Sequence, residues 1–522
     1  MNNKYIQIIF LHLQGIVLFP TLKVIFNSHL CKTILSKNTF TIKDLEQNSQ
    51  LNIGYLNIAL RTLRSCNLLD CKTSSKKELQ NEYIATNVLI NLYKINDEIN
   101  LFFNLLPYHK NFNKLSNEDF VNYTSLLNKA YEFLYKIKLE KILPNEIYYK
   151  LEGVILGPLL NNLIYYGYLE NLNKDNFVIK NLNDDFRNIV ENIFLLSEMI
   201  CIRSENYKIT NKGIYFFKKG SAYGVTCSYL ETIFRIEDLI FGDCRFIWDR
   251  DENNHEIHVN RSMNVWGSGG AHKNYFKKID KIIIDIFNQD LPKQPKGIID
   301  IGCGDGTFLK HVYNIILNNT VRGENLKDYP LNVVGVDINK AARTVARNTL
   351  NTENIDNIIC NGNIGDPSHI NKTLAETFKI DLKDLLNMRT FLDHNRIYEH
   401  PKNLIKNEIN TSGSFCFKGQ YISSNELINN LIEHFTKWKP YIKNYGLIIL
   451  ELHTLNPKLT KTIQNLTPCI AYDATHGYSD QYLIEHEVFI KVLKTLSFYI
   501  DLEHQSLFPN KDYPTISVNY IK

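Results

Sequence analysis

The sequence lacks any C-x-x-C pair, although it holds ten cysteines, among them Cys31, Cys66, Cys71, Cys303 and Cys469. Paired thiolates at that spacing build structural zinc sites, so none is expected. Cysteines scattered through a long chain read as reduced thiols of a cytoplasmic protein, not as a disulfide scaffold. Charge of either sign is also in little excess. Lys and Arg number 59 against 55 Asp and Glu, a net charge of +4, too near neutral to point to a polyanion. No internal repeat and no low-complexity tract is found. The one markedly apolar stretch, Tyr5 to Phe26, contains His12, Gln14, Gly15, Pro20 and Lys23 and no small-residue cleavage site. A removable signal or a membrane span is therefore not expected, and a buried pair of helices broken at Pro20 is. What is present is ordinary. The chain has 522 residues, 44% hydrophobic and 22% charged, enough for about three folded domains and not the composition of a disordered chain.

Three textures follow one another. Residues 1–150 have a helical pattern, in which Thr41-Ile42-Lys43-Asp44-Leu45 looks like a capped helix start, Thr41 accepting an N–H of the first turn. From Ile42 to Leu69 the chain reads as helix, turn at Asn52-Ile53-Gly54, helix, with Leu60, Leu63, Leu68 and Leu69 facing a core, a helix-turn-helix or winged-helix pattern. Residues 151–270 read as a helical lid or a second winged-helix-like module, with a strand at Tyr207 to Thr210 and a turn at Asn211-Lys212-Gly213. Neither module carries a dense run of Lys and Arg, so dimerisation or a lid fits better than DNA binding. The run Val265-Trp266-Gly267-Ser268-Gly269-Gly270-Ala271-His272 reads as a glycine-rich hinge.

Residues 271–522 alternate short apolar strands with helical segments. Strands are predicted at Gly297 to Ile301, Leu331 to Asp337, Asn357 to Asn361, Asp384 to Met388 and Gly446 to His453, with a last pair at Phe498 to Glu503 and Thr515 to Tyr520. That alternation implies a doubly wound, mostly parallel sheet.

The strongest motif is Ile298-Ile299-Asp300-Ile301-Gly302-Cys303-Gly304-Asp305-Gly306-Thr307-Phe308. A strand runs into glycines at 302, 304 and 306, which allow a sharp turn and close approach of a ligand to the backbone. The helix that follows presents free N–H groups. The dinucleotide fingerprint would need a third glycine at position 307, where Thr307 stands. The arrangement D-x-G-x-G-x-G instead resembles motif I of class I S-adenosylmethionine-dependent methyltransferases. By that resemblance the loop cradles the amino-acid part of the cofactor, with Asp300 near it. Asp337, ending Val333-Val334-Gly335-Val336, would accept the ribose hydroxyls. In Asn361-Gly362-Asn363-Ile364-Gly365-Asp366, Ile364 would lie against adenine, with Asp366 or Asn363 at its amino group.

In such sheets substrates bind beyond the carboxyl ends of the strands. There the sequence places Met388-Arg389-Thr390-Phe391-Leu392-Asp393-His394-Asn395-Arg396 and Glu451-Leu452-His453-Thr454, followed by Tyr472-Asp473-Ala474-Thr475-His476-Gly477-Tyr478-Ser479-Asp480-Gln481. His394, His453, His476 and Gln481 are expected on one edge, and imidazoles with an amide oxygen suit a divalent transition metal. With His453 between them, the 389–396 and 472–481 segments resemble metal-dependent polyketide-synthase C-methyltransferases of the apratoxin-loading-module type. That resemblance implies a helical lid before a Rossmann-like methyltransferase core. It also implies a mononuclear iron-type centre on His453 and Gln481 and an acyl substrate held on an acyl carrier protein. Manganese is the other candidate ion, and His476, five residues before Gln481 on the same loop, is the reserve ligand.

The expected activity is methyl transfer to the carbon of a malonyl-type acyl group. His394 would take the proton, with Asp393 and Arg389 beside it as catalytic candidates. A small-molecule O-methyltransferase with a winged-helix dimerisation domain, forming a homodimer and using His394 without a metal, is the alternative. A non-catalytic winged-helix regulator is a third reading. Nucleic acid and membrane are not expected as partners.

Overall fold

The structure is a computed structural model that describes residues 2–46, 51–72, 78–173, 176–180, 182–203, 206–252 and 255–522. The chain divides into two compact units. The first comprises Met1–Gly270, Ser414–Ile422 and Asn456–Asp480, and the second comprises Ala271–Gly413, Ser423–Leu455 and Gln481–Lys522.

The first unit is mostly helical. Its N-terminal apolar stretch forms one helix, Asn2–Phe26, that continues through Pro20, not the broken pair the sequence suggests. An internal proline costs ~3 kcal/mol. Burial of Ile9, Leu13, Ile16, Val17, Leu18, Leu22 and Ile25 in the core of this unit outweighs it, at about 1.5–3 kcal/mol for each large side chain. The helix is long and apolar enough to cross a membrane, and its apolar surface is buried here against the helix Asn145–Tyr165. The two cross closely. A side chain at Gly15 would overlap the Lys150 carbonyl, and one at Gly153 the His12 backbone.

Helices Ile42–Glu46 and Ile53–Ser65, followed by the antiparallel hairpin of Leu69–Lys72 and Glu82–Ala85, have the winged-helix order. Thr41 caps as expected, its Oγ1 accepting the Asp44 N–H at 3.4 Å, while its own N–H donates to Asp44 Oδ2 at 2.7 Å. A second helix-and-hairpin set is formed by Asp184–Leu196 with Ile200–Arg203 and Asn206–Ile209. Residues 1–150 and 151–270 share one hydrophobic core. The segment 265–272, expected to hinge, lies within the helix Arg261–Phe287. Its Gly267 serves close packing, because a Cβ there would come 2.5 Å from the Val225 nitrogen.

The second unit is built on a seven-stranded sheet. We number its strands β1 (Gly297–Ile301), β2 (Asn332–Asp337), β3 (Ile358–Asn361), β4 (Leu385–Thr390), β5 (Leu447–Leu452), β6 (Ser506–Phe508) and β7 (Ile516–Ile521). The order is β6-β7-β5-β4-β1-β2-β3. β5 through β3 are parallel, whereas β7 runs antiparallel to β5 and β6 antiparallel to β7. β1 and β5 are buried at every position, as strands covered on both faces must be. Of the predicted strand at 498–503 only the start pairs, in a bridge of Ile500 with Ile521 in which the Tyr499 N–H donates to the Lys522 carbonyl at 2.8 Å. Asp501 Oδ1 accepts the N–H of Glu503 and of His504, a local turn that ends extension, and the edge strand forms at Ser506–Phe508 instead. After β3 the chain crosses to β4 on the far side of β1, so the strand order reverses between β1 and β4. Ligands of open α/β sheets bind at such a switch point.

Candidate active site

β1 delivers Asp300 to the switch point, between Met388 of β4 and Gly335 of β2. The loop beyond it is tied to β2 by the N–H groups of Gly302 and Cys303, both donated to the Val336 carbonyl at 2.7 and 3.0 Å. Gly302, Gly304 and Gly306 have φ of 79°, 53° and 79°, values that favour glycine. Their surroundings differ. A Cβ on Gly302 would lie 2.8 Å from Leu392 and one on Gly306 3.0 Å from Ala346, whereas a Cβ on Gly304 would meet nothing within 4 Å. Gly304 therefore faces the space a ligand needs.

Asp300 is buried, and its Oδ1 has no hydrogen-bond partner. Burial, with Asp337 and Asp305 nearby, pushes its carboxyl well above the usual range. A cationic amino group is the partner that this carboxylate lacks, and S-adenosylmethionine brings one, so the cradle fits the cofactor. Asp337 Oδ2 accepts the Gly304 N–H at 3.1 Å and Oδ1 that of Asn339 at 2.8 Å. Asn363 Oδ1 accepts from Gly365 N–H, and the carbonyl of buried Ile364 accepts from Trp438 Nε1, each at 2.8 Å. Asp366 Oδ1 caps the helix Pro367–Thr373 through the His369 N–H at 3.0 Å.

A pH dependence follows. A carboxyl whose folded value is raised holds its proton into a range where the unfolded chain has lost it, so the free protein loses stability as pH rises toward that value. A bound cation favours the ionised form. Cofactor affinity should therefore strengthen with rising pH, with a proton released on binding. Calorimetry in buffers of different ionisation enthalpy checks this, and an Asp300→Asn variant should lose the proton release.

At the end of β4 the turn Asp393–Asn395 presents His394. Its Nδ1 lies 2.5 Å from Glu451 Oε1, and its backbone N–H donates to Glu451 Oε2 at 3.2 Å. Glu451 belongs to β5, and both residues are buried. The carboxylate thus holds the imidazole in the tautomer that carries its proton on Nδ1 and leaves the lone pair on Nε2. On the other side, the Tyr482 N–H donates to the His394 carbonyl at 2.7 Å. Arg389 and Asp393, expected beside His394, form a separate buried pair. Arg389 Nη1 lies 3.3 Å from Asp393 Oδ1, which also takes His434 Nε2 at 2.9 Å. The Arg389 guanidinium covers the Trp438 ring at 4.6 Å.

Of the expected metal ligands, His453 is engaged elsewhere. His453 is buried and neutral, its pKa held well below the usual value by burial and by His486. Both ring nitrogens are engaged, Nδ1 with the Ile484 carbonyl at 3.2 Å and Nε2 with Ser517 Oγ at 2.7 Å. Gln481 is buried in the second unit, whereas His476 belongs to the first, its Nδ1 donated to the Tyr472 carbonyl at 2.6 Å. Among the described residues no group of three or more His, Cys, Asp or Glu could hold an ion. An iron or manganese ion does not fit this donor set. Exhaustive dialysis against a chelator is accordingly expected to leave turnover unchanged, and turnover lost and restored by either metal would contradict that.

Sequence reasoning passed over Glu451 as a partner of His394 and over Arg396. The available signal was a carboxylate within a strand that is otherwise wholly apolar, Leu447–Leu452, since a buried charge must be paired.

Three family models match the chain: the AprA MT2-like domain over residues 256–519, the AprA N-terminal domain over 5–71 and the AprA winged helix domain over 152–243. No curated protein matches it. Among solved structures, the CurJ carbon methyltransferase is 12% identical with a TM-score of 0.31, covering 76% of this chain and 95% of its own. An O-methyltransferase family protein from Burkholderia thailandensis is 12% identical with a TM-score of 0.35, covering 65% of this chain and 84% of its own. The DszA carbon methyltransferase, also 12% identical, has a TM-score of 0.33 and covers 65% and 78%. At these scores the structures carry no argument about function.

Proposed function

The chain belongs to the AprA MT2-like domain family and is a methyltransferase, and from that premise we propose that it methylates the α-carbon of an activated acyl substrate. The acceptor would be a malonyl-type thioester of polyketide-like metabolism, carried on an acyl carrier protein. The observation that supports this reading best is the His394–Glu451 pair at the ends of β4 and β5, with β4 directly beside the strand that carries Asp300.

His394 Nε2 takes the α-proton, and Glu451 stabilises the imidazolium that forms. The enolate carbon bonds to the methyl group as the C–S bond breaks, leaving S-adenosylhomocysteine, and His394 later gives its proton to water. S-adenosylmethionine supplies the electrophilic methyl. The protein supplies position and a fixed electrostatic environment. No step depends on a metal.

Mass spectrometry of malonyl-pantetheine incubated with S-adenosylmethionine tests this. One added methyl per acyl group is expected. An unchanged thioester together with methylation of a phenol would favour the O-methyltransferase reading.

A further inference from the structure

Removal of an α-proton leaves negative charge on the thioester oxygen, and without a metal some other group must meet it. Only 4% of Arg396 is exposed. Its Nε donates to Asn430 Oδ1 at 2.8 Å and its Nη1 to the Asp393 carbonyl at 2.7 Å, while Nη2 has no acceptor. The guanidinium lies over the Tyr482 ring at 5.6 Å. Arg396 is thereby fixed to both segments that hold His394, since Asp393 precedes it in its turn and Tyr482 binds its carbonyl.

Arg389, the other buried arginine of this strand end, also has Nε and Nη2 without acceptors, but its charge is paired with Asp393. Arg396 makes no ion pair among the described residues. Burial lowers its pKa only to about 10, so it stays charged at neutral pH. Native proteins satisfy nearly all buried donors, and an exception needs an explanation. Asp393 and Glu451, the carboxylates that act on Arg396, are committed to Arg389, His434 and His394, and a buried cation without an ion pair of its own is costly until an anion arrives.

We propose that Arg396 is a catalytic residue whose Nη2–H donates to the enolate oxygen formed when His394 takes the α-proton. This rests on the carbon-methylation reading above. It places positive charge where negative charge develops, as a preorganised donor does at an oxyanion. A fixed carboxylate on the acceptor has the same chemistry and could be met by the same N–H, so the test separates the two sources.

Arg396→Ala and Arg396→Lys are compared with wild type on malonyl-pantetheine, which has one free carboxylate, and on acetoacetyl-pantetheine, which has none. The alanine variant should lose about 10²–10³ in kcat on both acceptors, with KM and cofactor affinity nearly unchanged. Deuterium uptake at the α-carbon in heavy water should fall in parallel. Added guanidinium ion should restore part of the rate, which a merely structural role would not allow. The lysine variant keeps the charge and should fall between. Unchanged cofactor affinity in calorimetry shows that both variants are folded. A defect confined to KM for malonyl-pantetheine would assign Arg396 to a fixed carboxylate and overturn the proposal, as would wild-type kcat in both variants. Failure of wild type to methylate either thioester would instead remove the carbon-methylation reading, and this inference with it.

Discussion

His394→Ala is expected to lower kcat by about 10²- to 10⁴-fold, the range a positioned general base contributes, without weakening cofactor binding. The separation follows from where the groups sit. The cofactor loop is held by β1 and β2, through the bonds of Gly302 and Cys303 to Val336 and of Gly304 to Asp337. His394 is held by β5 through Glu451 and by the Tyr482 N–H. Removing the imidazole leaves the first set intact. Stopped-time assays with calorimetry on the same preparation check this, and a variant that binds cofactor poorly would show the two sets to be coupled. Glu451→Gln keeps the shape but removes the charge that stabilises the imidazolium, so it should lose rate in the same direction.

The second large effect is at Gly304. An alanine there must adopt the left-handed conformation at φ 53°, at a cost of roughly 1–2 kcal/mol. Its Cβ meets no protein atom within 4 Å. The free protein should therefore melt only slightly lower. The new methyl group would occupy the space beside the backbone that the cofactor approaches, and affinity should fall about 10²-fold, or about 2.7 kcal/mol. Gly302→Ala and Gly306→Ala should behave differently, because their Cβ atoms would press on Leu392 and Ala346 and destabilise the protein itself. Equal affinity loss and equal melting at all three positions would refute the assignment of open space to Gly304.

Much of the second unit was legible because each strand advertises itself locally. β1, β2 and β3 are short apolar runs ended by Asp300-Ile301-Gly302, by Asp337 and by Asn361-Gly362, and nothing outside the run is needed to recognise them. The candidate cofactor residues follow one strand at a time, so their positions on those strands were legible for the same reason. The chemistry beyond β4 was legible only in part. His394 and Glu451 are 57 residues apart, and nothing in either segment says that their strands are neighbours. The metal site was expected from the family resemblance and from a loop folding back over the strand edge, and a single sequence does not show that His453 engages both ring nitrogens, with the Ile484 carbonyl and Ser517 Oγ. His476 and Gln481 are close along the chain, but the chain passes from one unit to the other between Asp480 and Gln481. Asp480 is fastened within the first unit by Tyr55, Trp248 and the Lys418 N–H, at 2.8, 3.0 and 2.8 Å. In the helical unit, Pro20 read as a break because a single sequence shows a proline's cost but not the packing that offsets it. At 265–272 the glycines alone do not show that the segment lies within one helix or that Gly267 packs against Val225, since a glycine that allows close packing and one that allows motion look the same.

The central claim is that this methyltransferase forms a carbon–carbon bond through an enolate made by His394 and Glu451. Transfer from S-adenosylmethionine carrying a ¹³C-labelled methyl group to malonyl-pantetheine, followed by carbon NMR of the product, tests it most directly. The account predicts a labelled methyl coupled to the α-carbon and absent when His394→Ala replaces wild type. A label found on oxygen, or carbon methylation undiminished in that variant, would contradict it.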